Sequence, residues 1–372
     1  MMKLHVVQAQ FGDSLLLEFE TSQARRFILI DGGPPFTFKQ ALHESLNTLI
    51  PTPRVLDAVV LSHVDNDHII GLLDLVAELR RQQADGEPAT LQIRELWHNS
   101  FSRAIDQNGD LQARLRSILS VPGAAQQMRL AAEATTGIGE GNGLRLAALA
   151  MNPPIPLNPD FSDDLIVVDT AGDPRTFGNM TVRVVGPTQE NLDALATEWR
   201  KWLDTHEDAI ASGDPFVMAN ADQSIPNLSS IMVLAQADGK SILLTGDGRS
   251  DHLLSGLRKT GLLPPTGGQL HVNVLKLPHH GSNRNITKTF FKTVTADIYV
   301  ASANGKDDNP DLATLIWLVE AARAQGRQVE LVVTNRTLST EKLLEEYPQG
   351  EFGYTLRILP KGDRFITVTV AS

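Results

Sequence analysis

An apolar strand, Ala58-Val-Val-Leu61, runs straight into Ser62-His63-Val-Asp65-Asn-Asp67-His68-Ile-Ile-Gly71, placing four side chains able to bind a metal within six residues. A chain carrying this run must fold so that the strand is buried while its polar end is held together at one point. Two imidazoles and two carboxylates on so short a loop repel one another and compete for protons unless a cation organises them. The competing reading is a solvated Asp/His turn that opens a helix, with Asp65 as its N-cap.

The 372 residues, 42% of them hydrophobic, suffice for two average domains or for one large α/β domain carrying insertions. The longest apolar runs, 72–79 and 315–322, are short and broken by charge, so no membrane partner is expected. The N-terminus opens as a strand, Lys3 to Gln8, where an export signal would have a basic region and an apolar core; a cytoplasmic location is expected. There are no cysteines, so any metal must be held by histidine and carboxylate. A net charge of −11 sits badly with a protein that grips long stretches of nucleic acid. Local charge differs: Lys276, Arg284, Lys288 and Lys292 cluster around a later motif, which suits a small anionic substrate.

Hydrophobic periodicity predicts strands at 3–9, 14–19, 26–31, 57–61 and Leu91 to Trp97, and a helix over 69–82. Residues 100–176 read as an inserted helical region, its pieces (Leu111 to Leu119, Gln126 to Ala134, Leu144 to Met151) separated by breaks such as Gly137 to Gly143. A strand at 180–186 precedes an amphipathic helix at 189–211. Strands at 229–235, 240–245, 272–277 and 296–302, a helix at 311–324, a strand at 328–334 and a closing hairpin, 355–359 to 364–370, complete the pattern. Such alternation suggests two sheets packed face to face under outer helices.

Two further strands end in chemistry-bearing residues. Ile242-Leu-Leu-Thr-Gly246-Asp247-Gly248 stops at a turn that any hairpin could use. Val274-Leu-Lys276-Leu-Pro-His279-His280-Gly281-Ser282 ends in adjacent histidines, for which surface placement is the plain alternative. Together the three strand ends offer the donors of a two-metal site.

With Phe11-Gly12-Asp13-Ser14, Ile30-Asp31-Gly32-Gly33, Asn227-Leu-Ser-Ser230 and Leu244-Thr-Gly246-Asp247 in the same order, the chain resembles metallo-β-lactamase-fold hydrolases, and most the soluble hydrolase domain of ComEC-type DNA-uptake proteins. The resemblance implies an α/β fold, the αββα sandwich of two mixed sheets flanked by helices, as a single domain over 1–372 with helical insertions at about 100–176 and 189–222 that it does not cover. It implies two divalent metal ions, Zn²⁺ or Mn²⁺. His63 and Asp65 are then ligands of one, Asp67 and His68 of the other, and Asp247 the bridge. His280 is the favoured last ligand, leaving His279 to touch substrate or donate a proton, with Asp67, Asp247 and His279 as the catalytic set. Asp31 and Asn227 stand behind the ligands, Asp31 orienting the 63–68 loop. Asp65 replaces the histidine of many relatives, which makes the first site richer in oxygen and Mn²⁺ a competitor to Zn²⁺.

The chain also departs from the pattern. Gly186-Pro187-Thr188 stands where many relatives carry a third histidine, which leaves the first site thinly filled; His98, at another strand end, is a candidate substitute or a packing residue. Asn285 stands in place of a serine, and Asn304 to Pro310 lacks the histidine that the branch tends to carry there.

A hydroxide shared between two metals opens phosphodiesters, esters, lactones or amides alike. Lys276, Ser282 and Arg284, as substrate-binding residues beside the metal loop, favour a phosphodiesterase or nuclease acting on nucleic acid or a nucleotide. A small-molecule ester or lactone hydrolase, and a regulatory module that binds metal without turnover, stay open. The helical insertions leave room for a protein partner or self-association. The sequence carries no membrane channel, so a stand-alone enzyme is expected rather than DNA uptake.

Overall fold

Alternation along the strands decides the layers. In a computed structural model, which describes residues 1–20, 24–100, 136–212 and 229–370, strand Met2–Val7 turns Met2, Leu4 and Val6 to one face and Val7 to the other. Six strands form one mixed sheet in the order Phe365–Val370, Met2–Val7, Leu15–Glu20, Arg25–Ile30, Ala58–Val60 and Leu96–Trp97. Eight form the second, in the order Tyr354–Ile358, Val329–Val333, Val294–Ala301, Leu270–Lys276, Lys240–Leu244, Met232–Ala237, Met180–Gly186 and Arg175–Phe177.

The inner faces pack on one another: Leu4, Leu15, Ile28 and Val60 of the first sheet share a core with Val182, Val233, Leu244 and Val300 of the second. Outside the first sheet, Leu72, Leu75 and Val76 of helix Asn66–Ala84 cover Leu29 and Val59. Outside the second, Leu253 and Leu257 of helix Ser250–Lys259 and Leu315 and Leu318 of helix Leu312–Ala324 cover Leu243, Tyr299 and Leu331. This is the expected αββα sandwich of two sheets flanked by helices, and it explains why central strands such as Ile298-Tyr-Val-Ala301 read as unbroken apolar runs: both faces are buried.

The parallel part of each sheet positions the site. Arg25–Ile30, Ala58–Val60 and Leu96–Trp97 run parallel in one sheet, as do Lys240–Leu244, Leu270–Lys276 and Val294–Ala301 in the other. Their carboxyl ends therefore open at the same edges, and Asp31, His63, Asp247 and His280 all lie just beyond such ends.

Several expectations need correcting. Residues 355–359 and 364–370 are not a hairpin: Tyr354–Ile358 pairs with Val329–Val333 in the second sheet, and Phe365–Val370 with Met2–Val7 in the first. The Lys361-Gly-Asp363 turn thus passes the chain between layers, a role that turn chemistry shares with hairpins. Leu91 to Trp97 divides into Gln92–Ile93, paired with Val55–Leu56, and Leu96–Trp97, paired with Ala58–Val60. Residues 137–143, expected as a break, lie inside helix Thr136–Leu149. Here the glycine has a packing reason, since a Cβ on Gly141 would stand 2.9 Å from His98 Nε2. The expected pieces at 111–119 and 126–134 fall outside the described residues, as does Asn227. Helices His43–Leu49, Ser250–Lys259 and Leu338–Glu346 were not expected. No helix among the described residues is long and apolar enough to cross a membrane.

Candidate metal centre

His63 and Asp65 enter the site on the turn between Val60 and helix Asn66–Ala84, and Asp67 and His68 from the first turn of that helix. Asp31 fixes that turn. One carboxylate oxygen accepts the Ser62 backbone N–H at 2.7 Å, and the other accepts both the Ser62 hydroxyl at 2.7 Å and His68 Nδ1–H at 2.8 Å. His63 Nδ1 lies 3.0 Å from the Ser62 hydroxyl, which has already given its proton to Asp31, so the imidazole is the donor. His280 Nδ1–H donates to the Ser302 carbonyl at 2.9 Å. In all three rings Nδ1 is engaged and the lone pair of Nε2 points inward, the arrangement in which outer partners orient metal-binding histidines.

The inward atoms converge. His68 Nε2 lies 3.3 Å from Asp247 Oδ1, and His280 Nε2 lies 3.2 Å from Asp67 Oδ2 and 3.5 Å from Asp247 Oδ2. Two donors each about 2.05 Å from a tetrahedral ion stand roughly 3.3 Å apart, so these spacings fit ligation to a common cation. Donor atoms of Asp67, His68, Asp247 and His280 all lie within 4.8 Å of one another. Nε2 of His63, His68 and His280, and Oδ1 of Asp65 and Asp247, are buried and have no hydrogen-bond partner among the described residues. Each such atom costs about 1–3 kcal/mol if left so. Five together, aimed at one region, fit divalent metal.

Around His63 the set is thinner. His63 Nε2 lies 3.4 Å from Asp65 Oδ2 and 3.9 Å from Asp247 Oδ2, the same oxygen that His279 Nε2 approaches at 3.6 Å. His98 is not brought into this group: it is buried against Val64 and Gly141 beneath helix Thr136–Leu149, and burial holds its pKa down at about 3, so the ring is neutral.

The electrostatics describe a site short of positive charge. Burial disfavours charge on His68 and His280, yet Asp247, with Asp67 and Asp31 for His68 and Asp13 for His280, holds both imidazolium forms well above the ordinary histidine value. Burial likewise opposes ionisation of Asp247, and His280, His68 and His279 more than reverse that, keeping its carboxyl well below the carboxylate range. Protons do here what a cation would do better. The backbone is strained at the same place: Asp31, His279 and His280 adopt φ of 58°, 45° and 55°, a left-handed region costing about 1–3 kcal/mol per residue.

Of the expected substrate contacts, Ser282 and Arg284 line the cavity over the cluster, which is about 510 Å³. Lys276 does not. Its side chain is fully buried, with Nζ 2.5 Å from Asp13 Oδ2 and donating to the Leu277 carbonyl at 3.0 Å. It is an internal cation behind the site, because its alternation along the strand puts it on the inner face with Val274. Asp13, quoted in a motif but given no role, is the residue that sequence reasoning missed; its other oxygen lies 3.4 Å from His280 Nδ1. The signal was Gly12, where a Cβ would meet the Asp67 carbonyl at 1.9 Å, so only glycine lets the two loops touch.

No protein-family model matches the chain, and no curated protein does. Among solved structures it is similar to the metallo-β-lactamase-fold protein YhfI from Bacillus subtilis, at 11% identity over 99% of each chain with a TM-score of 0.43. A likeness that weak carries no argument about the chemistry, which stands on the layers and the converging donors.

Proposed function

We propose that this chain is a metal-dependent hydrolase of phosphodiesters, in the ComEC-type branch of the metallo-β-lactamase fold. The observation that carries the reading is the convergence of unpartnered Nε2 atoms of His63, His68 and His280 on the carboxylates of Asp67 and Asp247. Asp67, His68 and His280 would hold one divalent ion and His63 and Asp65 a second, with Asp247 available to both; oxygen-rich donors at the second would make Mn²⁺ an alternative to Zn²⁺. When bound, such ions supply a water that ionises near neutral pH and positive charge for the ester's oxygens. The chain does the rest. Arg284 and Ser282 bind the free phosphoryl oxygens. His279, a quarter exposed on its side chain with Nε2 3.6 Å from Asp247 Oδ2, donates a proton to the leaving alkoxide.

A carboxylic-ester or lactone substrate is the second reading, favoured by the carboxylates of Asp307, Asp308 and Asp311 on the outer wall of the cavity. Elemental analysis of the purified protein, beside a metal-supplemented bis-p-nitrophenyl phosphate assay on wild type and Asp67→Ala, tests both. About two metals per chain with cleavage in wild type alone supports the phosphodiesterase. Metal with cleavage of p-nitrophenyl acetate only selects the second reading, and bound metal without turnover of either reduces the site to a regulatory one.

A further inference from the structure

The outer half of the cavity has a chemistry that the metal centre does not use. Residues 304–311 follow strand Val294–Ala301, and Lys306, Asp307, Asp308, Asn309 and Asp311 line the cavity together with Phe11 and Arg284. Lys306 rests its ammonium over the Phe11 ring, with Nζ 3.8 Å from the ring centre. An aromatic face attracts cations through its quadrupole, and the neighbouring carboxylates add to that field. The lysine thus occupies a seat suited to an ammonium group.

A second observation points to a ligand. Asn309 is 7% exposed, and its Oδ1 is buried without a hydrogen-bond partner among the described residues. A buried acceptor left so costs about 1–3 kcal/mol, and an N–H or O–H donor entering the cavity removes that cost. Of the carboxylates, Asp311 already accepts the Asn283 backbone N–H at 2.8 Å, while Asp307 and Asp308 make no ion pair among the described residues. A second phosphate placed here would meet carboxylates and no counter-charge beyond Lys306 and Arg284, which disfavours an extended polyanion.

Resting on the hydrolase reading for the metal half, we propose that the substrate is a zwitterionic phosphodiester whose ammonium group sits on Phe11 between Asp307 and Asp308, displacing the Lys306 ammonium and donating to Asn309. The ester stays at the Asp67, His68, Asp247 and His280 cluster. Two variants then act in opposite directions: Phe11→Ala removes the seat, and Lys306→Ala removes its resident competitor. A merely damaged cavity would lower affinity in both.

Calorimetric titration of the metal-reconstituted protein with phosphoethanolamine and with ethyl phosphate, ligands of similar size that differ in the ammonium, reads the seat without turnover. The expected result is phosphoethanolamine tighter by about tenfold, a preference abolished in Phe11→Ala and enlarged in Lys306→Ala. Equal affinities, no binding of either ligand, or a preference unchanged in Phe11→Ala overturns the cation seat. If the preference holds and neither bis-p-nitrophenyl phosphate nor an ammonium-bearing p-nitrophenyl diester is cleaved, the seat stands and the hydrolase reading falls.

Discussion

Lys276 and Asp13 form an ion pair with no solvent exposure, Nζ to Oδ2 at 2.5 Å, directly behind His280. The two residues come from different sheets, Lys276 from the end of Leu270–Lys276 and Asp13 from the turn before Leu15–Glu20. The pair therefore ties the two sheets together at the point where the candidate metal donors meet.

Removing one partner of a buried pair leaves an uncompensated charge. Lys276→Met is expected to cost about 3–5 kcal/mol in urea unfolding, and Asp13→Asn a similar amount, whereas the double variant costs clearly less than their sum. Strict additivity would mean that the two charges do not interact.

Stability without metal should depend on pH through His68 and His280. Their pKa values are raised in the folded state, so the stability they contribute is full below about pH 6.5, the unfolded value, and is lost as pH rises through the folded values. Melting of chelator-treated protein should fall steadily from neutral pH upward, while Zn²⁺ or Mn²⁺ flattens the curve and gives its largest increment at the highest pH. A metal increment independent of pH would show that these protons are not displaced.

The adjacent histidines should separate by readout. His280→Ala is expected to lose metal affinity and turnover together, since its Nε2 stands among the donors and its Nδ1 is anchored on Ser302. His279→Ala should keep its metal content and lose turnover, about 10²–10⁴-fold for a missing proton donor. Equal metal loss in both would place His279 among the ligands.

Gly71 and Gly32 pack backbone to backbone behind the loop. A Cβ on Gly71 would stand 1.9 Å from the Gly32 carbonyl oxygen, and neither side is a side chain that can turn away. Gly71→Ala should cost about 1–3 kcal/mol or more in thermal or urea melts and weaken metal binding, because Gly32 follows Asp31 directly. A neutral effect would mean that the turn has slack.

Much of this was legible before any fold. Strand ends and the residues just past them are local features, so His63, Asp65, Asp67, His68, Asp247 and His280 could be picked out as candidate donors from the periodicity that precedes each. Whether donors meet is not local. The inward lone pairs depend on Asp31 and Ser302, which act across 37 and 22 residues of chain. The closing strands show the same limit: two apolar runs around a Lys-Gly-Asp turn fit a hairpin or a crossing between sheets equally well, and only the edges left open by Val329–Val333 and Met2–Val7 choose.

By itself, the sequence determined the donor types, the absence of thiolate, and the alternation that buries both sheets, because side-chain chemistry and a period of two need no partner. Only the tertiary structure decided that Lys276 faces Asp13 and not substrate, that His98 packs away from the centre, and that Lys306 reaches Phe11 across the cavity. Each of those depends on which distant element packs opposite a residue, and that is set by how the layers stack.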